Sequence, residues 1–319
     1  MSFSGNVKEE LSRQWNPARH CQIAEIAALL GFCGTVSYHC GGQVRLKIST
    51  ENLSVARKFF TLIEKTFNII ADISIKKNMK RQSLSYTILI RHHDGALQIM
   101  KATKLMNRHG DRLEAKRLVS PMVIQQMCCR RAFLRGAFLA AGSMSDPGKS
   151  YHFEIVCITQ EASVQIRDLI CSFSMDAKIV QRKKSFVVYL KEGSQIVDIL
   201  NIMEAHVALM ELENIRILKD MRNTVNRKVN CETANINKTV SAAVKQMEDI
   251  TYLRDMIGFE KLTEGLEEVA LARLAHPDAT LKELGEMLSP PVGKSGVNHR
   301  LRKLSEMAEQ ARQEQGGLL

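Results

Sequence analysis

Two stretches rich in small residues constrain this chain more than anything else in it: residues 134–142, LRGAFLAAG, and a weaker echo at residues 26–34, IAALLGFCG. Glycine and alanine recur in both at helical spacing. Helices of that kind press close together, because Gly and Ala let backbones approach. The residues after each stretch repeat as well. A helix over 21–33 leads to a turn at Cys40-Gly41-Gly42 between two short extended runs, the second of which, 44–49 (VRLKIS), alternates. Thr50 reads as the cap of a helix that carries Leu53, Ala56, Phe60, Ile63 and Phe67. Strands over 70–76 and 84–91 and a helix over 95–106 complete the first copy. Residues 104–121 are basic and irregular and read as the connector.

The second copy keeps the order. It runs through a helix over 122–142, a turn at Asp146-Pro147-Gly148, a strand over 151–158 and a helix capped by Thr159. Strands over 178–181 and 186–191 and a helix after Gly193 complete it. TENLSV at 50–55 matches TQEASV at 159–164 at a constant offset. The expected fold is α+β: a duplicated αββαββα saddle over 21–205, with halves 21–110 and 122–205. An N-terminal helix lies within 1–20, with Ser4 as its cap.

From Met203 onward the pattern is helical only. Ala208, Leu212, Ile215, Leu218 and Val225 form one apolar stripe, and a polar, Asn-rich segment follows at 222–239. A second amphipathic helix uses Ile236, Val240, Ala243, Met247 and Ile250. This region, 206–258, reads as a helical linker. Arg222, Arg227, Lys228 and Lys238 in it suit phosphates or base edges, and equally an interdomain joint.

Residues 259–312 read as a helix-turn-helix domain. A helix over 266–275 breaks at Pro277, and Thr280-Leu281-Lys282-Glu283 is a capping box. Its short helix ends near Leu288, residues 289–293 (SPPVG) turn the chain, and Ser295 caps a last helix to about Ala308. Val297, Leu301, Leu304 and Ala308 fall on one face of that helix. Ser295, His299, Arg302 and Lys303 lie opposite, with Asn298 and Arg300 on the flanks and Lys294 at the start. A buried stripe backed by Asn, His and Arg is what a major-groove reading helix needs, since Asn pairs bidentately with adenine and Arg with guanine. Thr280, Lys294, Ser295, Asn298, His299, Arg300, Arg302 and Lys303 are the candidate DNA-binding residues.

Charge points the same way. The formal net charge is +11, which favours a polyanionic partner. Each half of the saddle holds one strand-turn-strand unit whose basic turn lacks acids: Lys76, Lys77, Lys80 and Arg81 in the first, Arg182, Lys183 and Lys184 in the second. Two such tips about a pseudo-dyad suit a DNA duplex, whose phosphates share that symmetry. Lysines at hairpin tips also protect sheet edges from pairing. No apolar run approaches a membrane span, and the N-terminus has no signal core, so a cytoplasmic, nucleoid-associated protein with no membrane partner is expected. The eight cysteines show no C-x-x-C spacing and read as free, mostly buried thiols. His20-Cys21 and His39-Cys40 match no common zinc module and read as packing or surface residues of a hairpin region, so no metal and no cofactor are expected.

The residues that carry a resemblance are SFSGNVKEEL at the start, VNRKVNCETANINKT in the middle and LKELGEMLSPPVGKSGVNHRLRKLSEMA at the end. With them the chain closely resembles, over nearly its whole length, the WhiA family of bacterial sporulation and cell-division regulators. That family fuses a LAGLIDADG homing-endonuclease-like domain to a C-terminal helix-turn-helix domain. The resemblance implies a DNA-binding transcriptional regulator linked to cell division, chromosome segregation and, in spore formers, sporulation. Homing endonucleases of this fold place a metal-binding acid at the eighth position of each motif. Here those positions are Ala141 and Cys33, neither a hard-oxygen ligand, so the chain is not expected to be an enzyme.

Two alternatives stand beside a non-catalytic regulator of double-stranded DNA. One is an active metal-dependent DNA endonuclease. The other is a protein-interaction scaffold on the transcription machinery, with RNA polymerase or a sigma factor as partner. Oligomeric state stays open, since a duplicated half can satisfy its own two-fold within a monomer.

Overall fold

The repeat in the sequence folds as two copies of one sheet. A computed structural model describes residues 2–39, 42–78, 83–105 and 118–316. Helix α1 (Phe3–Arg13) precedes the first copy: α2 (Arg19–Cys33), β1 (Gly34–His39), β2 (Gln43–Thr50), α3 (Leu53–Phe67), β3 (Asp72–Asn78), β4 (Ser83–Ile90) and α4 (His93–Ala102). The second copy is α5 (Met127–Ala141), β5 (Gly142–Met144), β6 (Phe153–Cys157), α6 (Gln160–Cys171), β7 (Lys178–Arg182), β8 (Ser185–Leu190) and α7 (Gly193–Met203). Both sheets are antiparallel, with order β1-β2-β4-β3 in one and β5-β6-β8-β7 in the other. Alternation decides which side of each sheet is buried. Val44, Leu46 and Ile48 of β2 and Tyr86, Ile88 and Ile90 of β4 turn inward under Val55, Phe59, Leu62 and Ile63 of α3. Each such side chain contributes about 1.5–3 kcal/mol on burial.

The two copies meet along α2 and α5, the most extensive helix pair in the molecule. Gly136 marks the closest approach. A Cβ there would lie 2.7 Å from the Glu25 carbonyl oxygen and 2.9 Å from the Ala28 Cβ. Ala28 is the residue that aligns with Gly136 in the first copy, so the helices cross at equivalent positions of the repeat. A buried ionic cluster lies beside the crossing. Glu25 Oε1 is 3.3 Å from Lys58 Nζ and 3.4 Å from Arg135 Nε, and Arg135 Nη1 is 2.5 Å from Glu204 Oε2. Burial pushes the Glu25 carboxyl up, with Lys58 and Arg135 opposing, and burial pushes Lys58 down, with Glu25 opposing. Lys58 also donates to the Gln14 carbonyl.

Local details depart from the sequence reading. Ser2, not Ser4, caps α1 by accepting from the Gly5 amide, while the Ser4 hydroxyl accepts from Met144 N across the structure. Thr159 caps α6 as expected, but the matching Thr50 ends β2, and Asn52 caps α3 by accepting from the Ser54 and Val55 amides. Asparagine is a stronger N-cap than threonine, and here it sits two residues further on. The turn at Cys40-Gly41 and most of the basic connector lie outside the described residues.

Helix α8 (His206–Met256) is continuous where the sequence reading places two helices flanking a polar segment. Glu10 of α1 caps its start, its carboxylate oxygens accepting from Val207 N at 2.7 Å and Ala208 N at 3.0 Å. The two expected apolar stripes are only partly used. Ala208, Leu212 and Ile250 are buried, but Leu218, Val225, Ile236 and Val240 are exposed. Periodicity marks a face; burial needs a second element to cover it.

The chain divides into two compact units, Met1–Asp220 and Met221–Leu319. The second has its own core. A single 3-10 turn (Phe259–Lys261) is followed by α9 (Glu264–Ala275), α10 (Leu281–Met287) and α11 (Lys294–Gly316). Leu266, Val269, Leu284, Val297, Leu301, Leu304 and Ala308 bury together with Ile250 and Leu253 of α8. Asp249, buried on α8, accepts from Arg312 Nη1 at 2.7 Å, and the Arg312 guanidinium lies 4.7 Å over the Tyr252 ring. No helix among the described residues is long and apolar enough to cross a membrane.

Candidate nucleic-acid interface

The last three helices are tied together by groups whose chemistry is local. Thr280 Oγ1 accepts from Glu283 N at 3.3 Å, and Glu283 Oε2 accepts from Thr280 N at 2.7 Å, which completes the capping box of α10. The hydrogen bonds from the Thr280 backbone and hydroxyl pull the Glu283 carboxyl below its ordinary value. Arg273, buried on α9, donates to the carbonyls of Pro277 and Ala279 and so holds the loop that leads into α10. Gly285 lets the following turn fold back onto α10. Val292 N donates to the Gly285 carbonyl at 2.9 Å, and a Cβ on Gly285 would lie 2.0 Å from the Val292 carbonyl oxygen.

That turn sets down α11. Its apolar stripe is as read: Val297, Leu301, Leu304 and Ala308 are all buried. The helix starts two residues earlier than expected, at Lys294, and runs on to Gly316, so Ser295 lies inside the first turn rather than at the cap. Lys294, Ser295, Asn298, His299, Arg302 and Lys303 are exposed on α11, and Thr280 is exposed at the start of α10. Arg302 Nε contacts Glu306 Oε1 at 3.2 Å, an exposed pair one turn apart. Such pairs are worth about 0.3–0.5 kcal/mol and break readily. Arg300 is placed differently from the others. Half-buried, it donates to the Gly265 carbonyl at 3.3 Å and braces α11 against α9.

In the saddle the two basic hairpins take equivalent places, because β3–β4 and β7–β8 each form the same edge of their sheets. Lys76 and Lys77 are exposed on β3; Lys80 and Arg81 lie outside the described residues. Lys183 and Lys184 form the tip of the second hairpin, with Lys183 at φ 55°, and both are exposed. Arg182 is not free of acids, since its Nη1 is 3.6 Å from Glu154 Oε2.

The outer sheet faces differ between the copies. On the first, Arg45 and Lys47 of β2 share a face with Ser49, Ser74, Thr87, Ser85 and Lys76 through the strand registers. On the second, Glu154 occupies the middle of the face, accepting from Ser143 Oγ at 2.9 Å and facing His152 Nε2 at 3.0 Å. Partial burial raises the Glu154 carboxyl. The hydrogen bonds from His152 and Ser143, with the charges of His152 and Arg182, outweigh that and leave it below its ordinary value. The candidates from sequence did not include Arg45 and Lys47. Their signal was present in the alternation of VRLKIS, which puts V, L and I on one side and the cations on the other.

Helices α2 and α5 run side by side in the same direction and end together. Cys33 Sγ lies 3.8 Å from the Ala140 carbonyl oxygen, and Ala141 is the last residue of α5. Lys8 of α1 approaches this end, its Nζ 5.8 Å from the Phe138 ring centroid. Burial holds Lys8 below the ordinary lysine value, with Cys33 opposing, and burial raises the Cys33 thiol, with Lys8 opposing. The two motif positions thus present a thiol and a methyl group beside an ammonium.

The other ends of the same helices hold a group that the sequence reading separates. His20 and Cys21 are in the first turn of α2, not in a hairpin, and their neighbours are Cys128 and Cys129 of α5. The His39 side chain and Cys40 lie outside the described residues. Seven cysteines are described and all are free, but Cys128, Cys171 and Cys231 are exposed, so the thiols are less buried than expected.

Two LAGLIDADG-like repeats joined across a small-residue helix seam, with a helix-turn-helix domain after them, define the class of protein. Residues 19–106 match the WhiA N-terminal LAGLIDADG-like domain, 130–222 the WhiA LAGLIDADG-like domain and 225–308 the WhiA C-terminal HTH domain. The chain is 57% identical over 316 residues to the probable cell division protein WhiA of Lachnoclostridium phytofermentans, covering 98% of this chain and all of that one. It is 51% identical to the protein of the same description from Alkaliphilus oremlandii, over 97% of each. The chain belongs to the WhiA family. Its fold is similar to that of the crystal structure of full-length DUF199/WhiA from Thermatoga maritima, at a TM-score of 0.59 and 24% identity, over 97% of this chain and 99% of that one.

Proposed function

We propose that this protein is a sequence-specific regulator that binds double-stranded DNA and controls transcription in bacterial cell division and chromosome segregation, and in sporulation where the organism forms spores. The observation that carries the reading is α11. Four adjacent-turn polar side chains, Asn298, His299, Arg302 and Lys303, are exposed over a stripe that is fully buried. A helix fixed on one face and free to donate on the other fits a major groove. Its start at Lys294 also suits a phosphate. The relatives' description as probable cell division proteins supports the cellular role. The saddle adds backbone affinity through Arg45, Lys47 and Lys76 and through the tips at Lys183 and Lys184. It does so without cleaving, because Cys33 and Ala141 supply no hard oxygen for a bridging metal. The protein works in the cytoplasm on the nucleoid.

The test is promoter binding by an Arg302→Ala, Lys303→Ala variant, by fluorescence anisotropy over a salt series. Loss of a base contact costs about 1–3 kcal/mol and relaxes specificity, and loss of a phosphate contact lowers the salt slope by about 1. Unchanged affinity, specificity and salt slope overturn the assignment of α11. Nicking of the same promoter DNA by pure protein and Mg²⁺ overturns the non-catalytic saddle.

A further inference from the structure

The seam has a second end, and its chemistry is unlike that of the first. His20 Nδ1 is 3.2 Å from Cys129 Sγ, 3.3 Å from Cys21 Sγ and 4.0 Å from Cys128 Sγ. All four ligand atoms lie within 4.8 Å of one another. A tetrahedral Zn²⁺ has bonds of about 2.3 Å to sulfur and about 2.0–2.1 Å to nitrogen, which sets nitrogen–sulfur edges of about 3.5 Å. The three observed distances bracket that edge. The positions follow the repeat, too. His20-Cys21 and Cys128-Cys129 stand the same number of residues ahead of the two small-residue motifs, so each copy brings two adjacent ligands to the pseudo-dyad.

We propose that His20, Cys21, Cys128 and Cys129 form a structural site for a thiophilic divalent cation, Zn²⁺, that clamps the starts of α2 and α5 together. Four protein ligands leave no open position, which is the pattern of a structural centre rather than a catalytic one. Binding takes Zn²⁺ and three thiols to a Cys3His complex and releases three protons to solvent, with neutral His20 donating its Nδ1 lone pair. The product carries one net negative charge. It sits at the N-termini of two helices, neither of which has a side-chain cap or an acid in its first turn. Both helix dipoles favour an anion there. His20 and Cys128 reach solvent, which gives the ion an entry path, while Cys21 and Cys129 are buried. In the absence of metal, burial and the neighbouring cysteines push the Cys21 thiol up to about 12, and the loss of thiol protons on binding makes metal uptake proton-linked.

The experiment uses the full chain, purified under reducing conditions, with Zn²⁺ measured by mass spectrometry and Co²⁺ as the spectroscopic probe on stripped protein. About one equivalent of Zn²⁺ is expected, with thiolate-to-cobalt charge transfer and the intense visible bands of a tetrahedral Co²⁺ centre. A Cys128→Ser, Cys129→Ser variant loses both, and a Cys171→Ser, Cys231→Ser variant keeps both. Wild-type protein with less than about 0.1 equivalent of Zn²⁺ and no tetrahedral Co²⁺ spectrum overturns the proposal. So does equal metal loss in the two variants, or a disulfide linking Cys21, Cys128 or Cys129 in the reduced preparation.

Discussion

Replacing Gly285 by alanine tests whether the turn between α10 and α11 is held by backbone contact. The added Cβ would lie 2.0 Å from the Val292 carbonyl oxygen, and that atom belongs to backbone that cannot rotate away. Reaching an ordinary carbon–oxygen contact of about 3.3 Å requires a shift of about 1.3 Å. The shift breaks the 2.9 Å hydrogen bond from Val292 N to the Gly285 carbonyl. Overpacking costs about 1–3 kcal/mol and the lost hydrogen bond about 1 kcal/mol, while the better helix propensity of alanine returns about 1 kcal/mol. The net expectation is a loss of about 1–3 kcal/mol, confined to the second unit. The one tryptophan, Trp15, lies in the first unit. Urea unfolding followed by far-UV circular dichroism and by Trp15 fluorescence therefore separates the two. The dichroism transition should move and the fluorescence transition should not. Gly293→Ala is the control, because a Cβ at Gly293 meets nothing within 4 Å. If the two variants unfold alike within about 0.5 kcal/mol, the close contact does not hold the turn. DNA affinity of Gly285→Ala should fall as well, since α11 is set down by that turn.

Other consequences are open to measurement. Thr280→Ala removes the cap of α10 and should cost about 1 kcal/mol in the same dichroism transition; no change would mean the box contributes nothing in solution. Glu10→Ala leaves the Val207 and Ala208 amides without their carboxylate and should lower the first unit by about 1 kcal/mol, read by Trp15 fluorescence. Glu154 sits below its ordinary value of 4.5, so its contribution is full above that pH and is lost as pH falls through the lower folded value. The acid limb of a Trp15 stability profile should therefore flatten in Glu154→Gln, and a limb identical to wild type would contradict the pairing with His152 and Ser143.

Short-range chemistry was legible in the residues. The capping box at Thr280 and Glu283, the buried face of α11 and the alternation in VRLKIS all depend on neighbours a few positions away, so their pattern is written where they act. The duplication was legible for a related reason: two copies of one order of elements, each opening on a small-residue helix, leave few ways to fold except against each other. Even so, the cap at Asn52 shows that a matched Thr does not guarantee a matched role.

Contacts between residues far apart in the chain had no such trace. Arg135 is the second residue of LRGAFLAAG and an apparent blemish there, and only the approach of Glu25 and Glu204 makes it the buried partner of two carboxylates. Arg300 reads like its neighbours on α11, yet the position of α9 draws it to the Gly265 carbonyl. The two stripes on α8 have the right period but are buried only towards the ends of the helix, because coverage depends on what packs there. His20-Cys21 and Cys128-Cys129 are each ordinary pairs with no metal-binding spacing. They become one four-ligand cluster because α2 and α5 start side by side, and it is packing, not order along the chain, that puts ligands within reach of one ion.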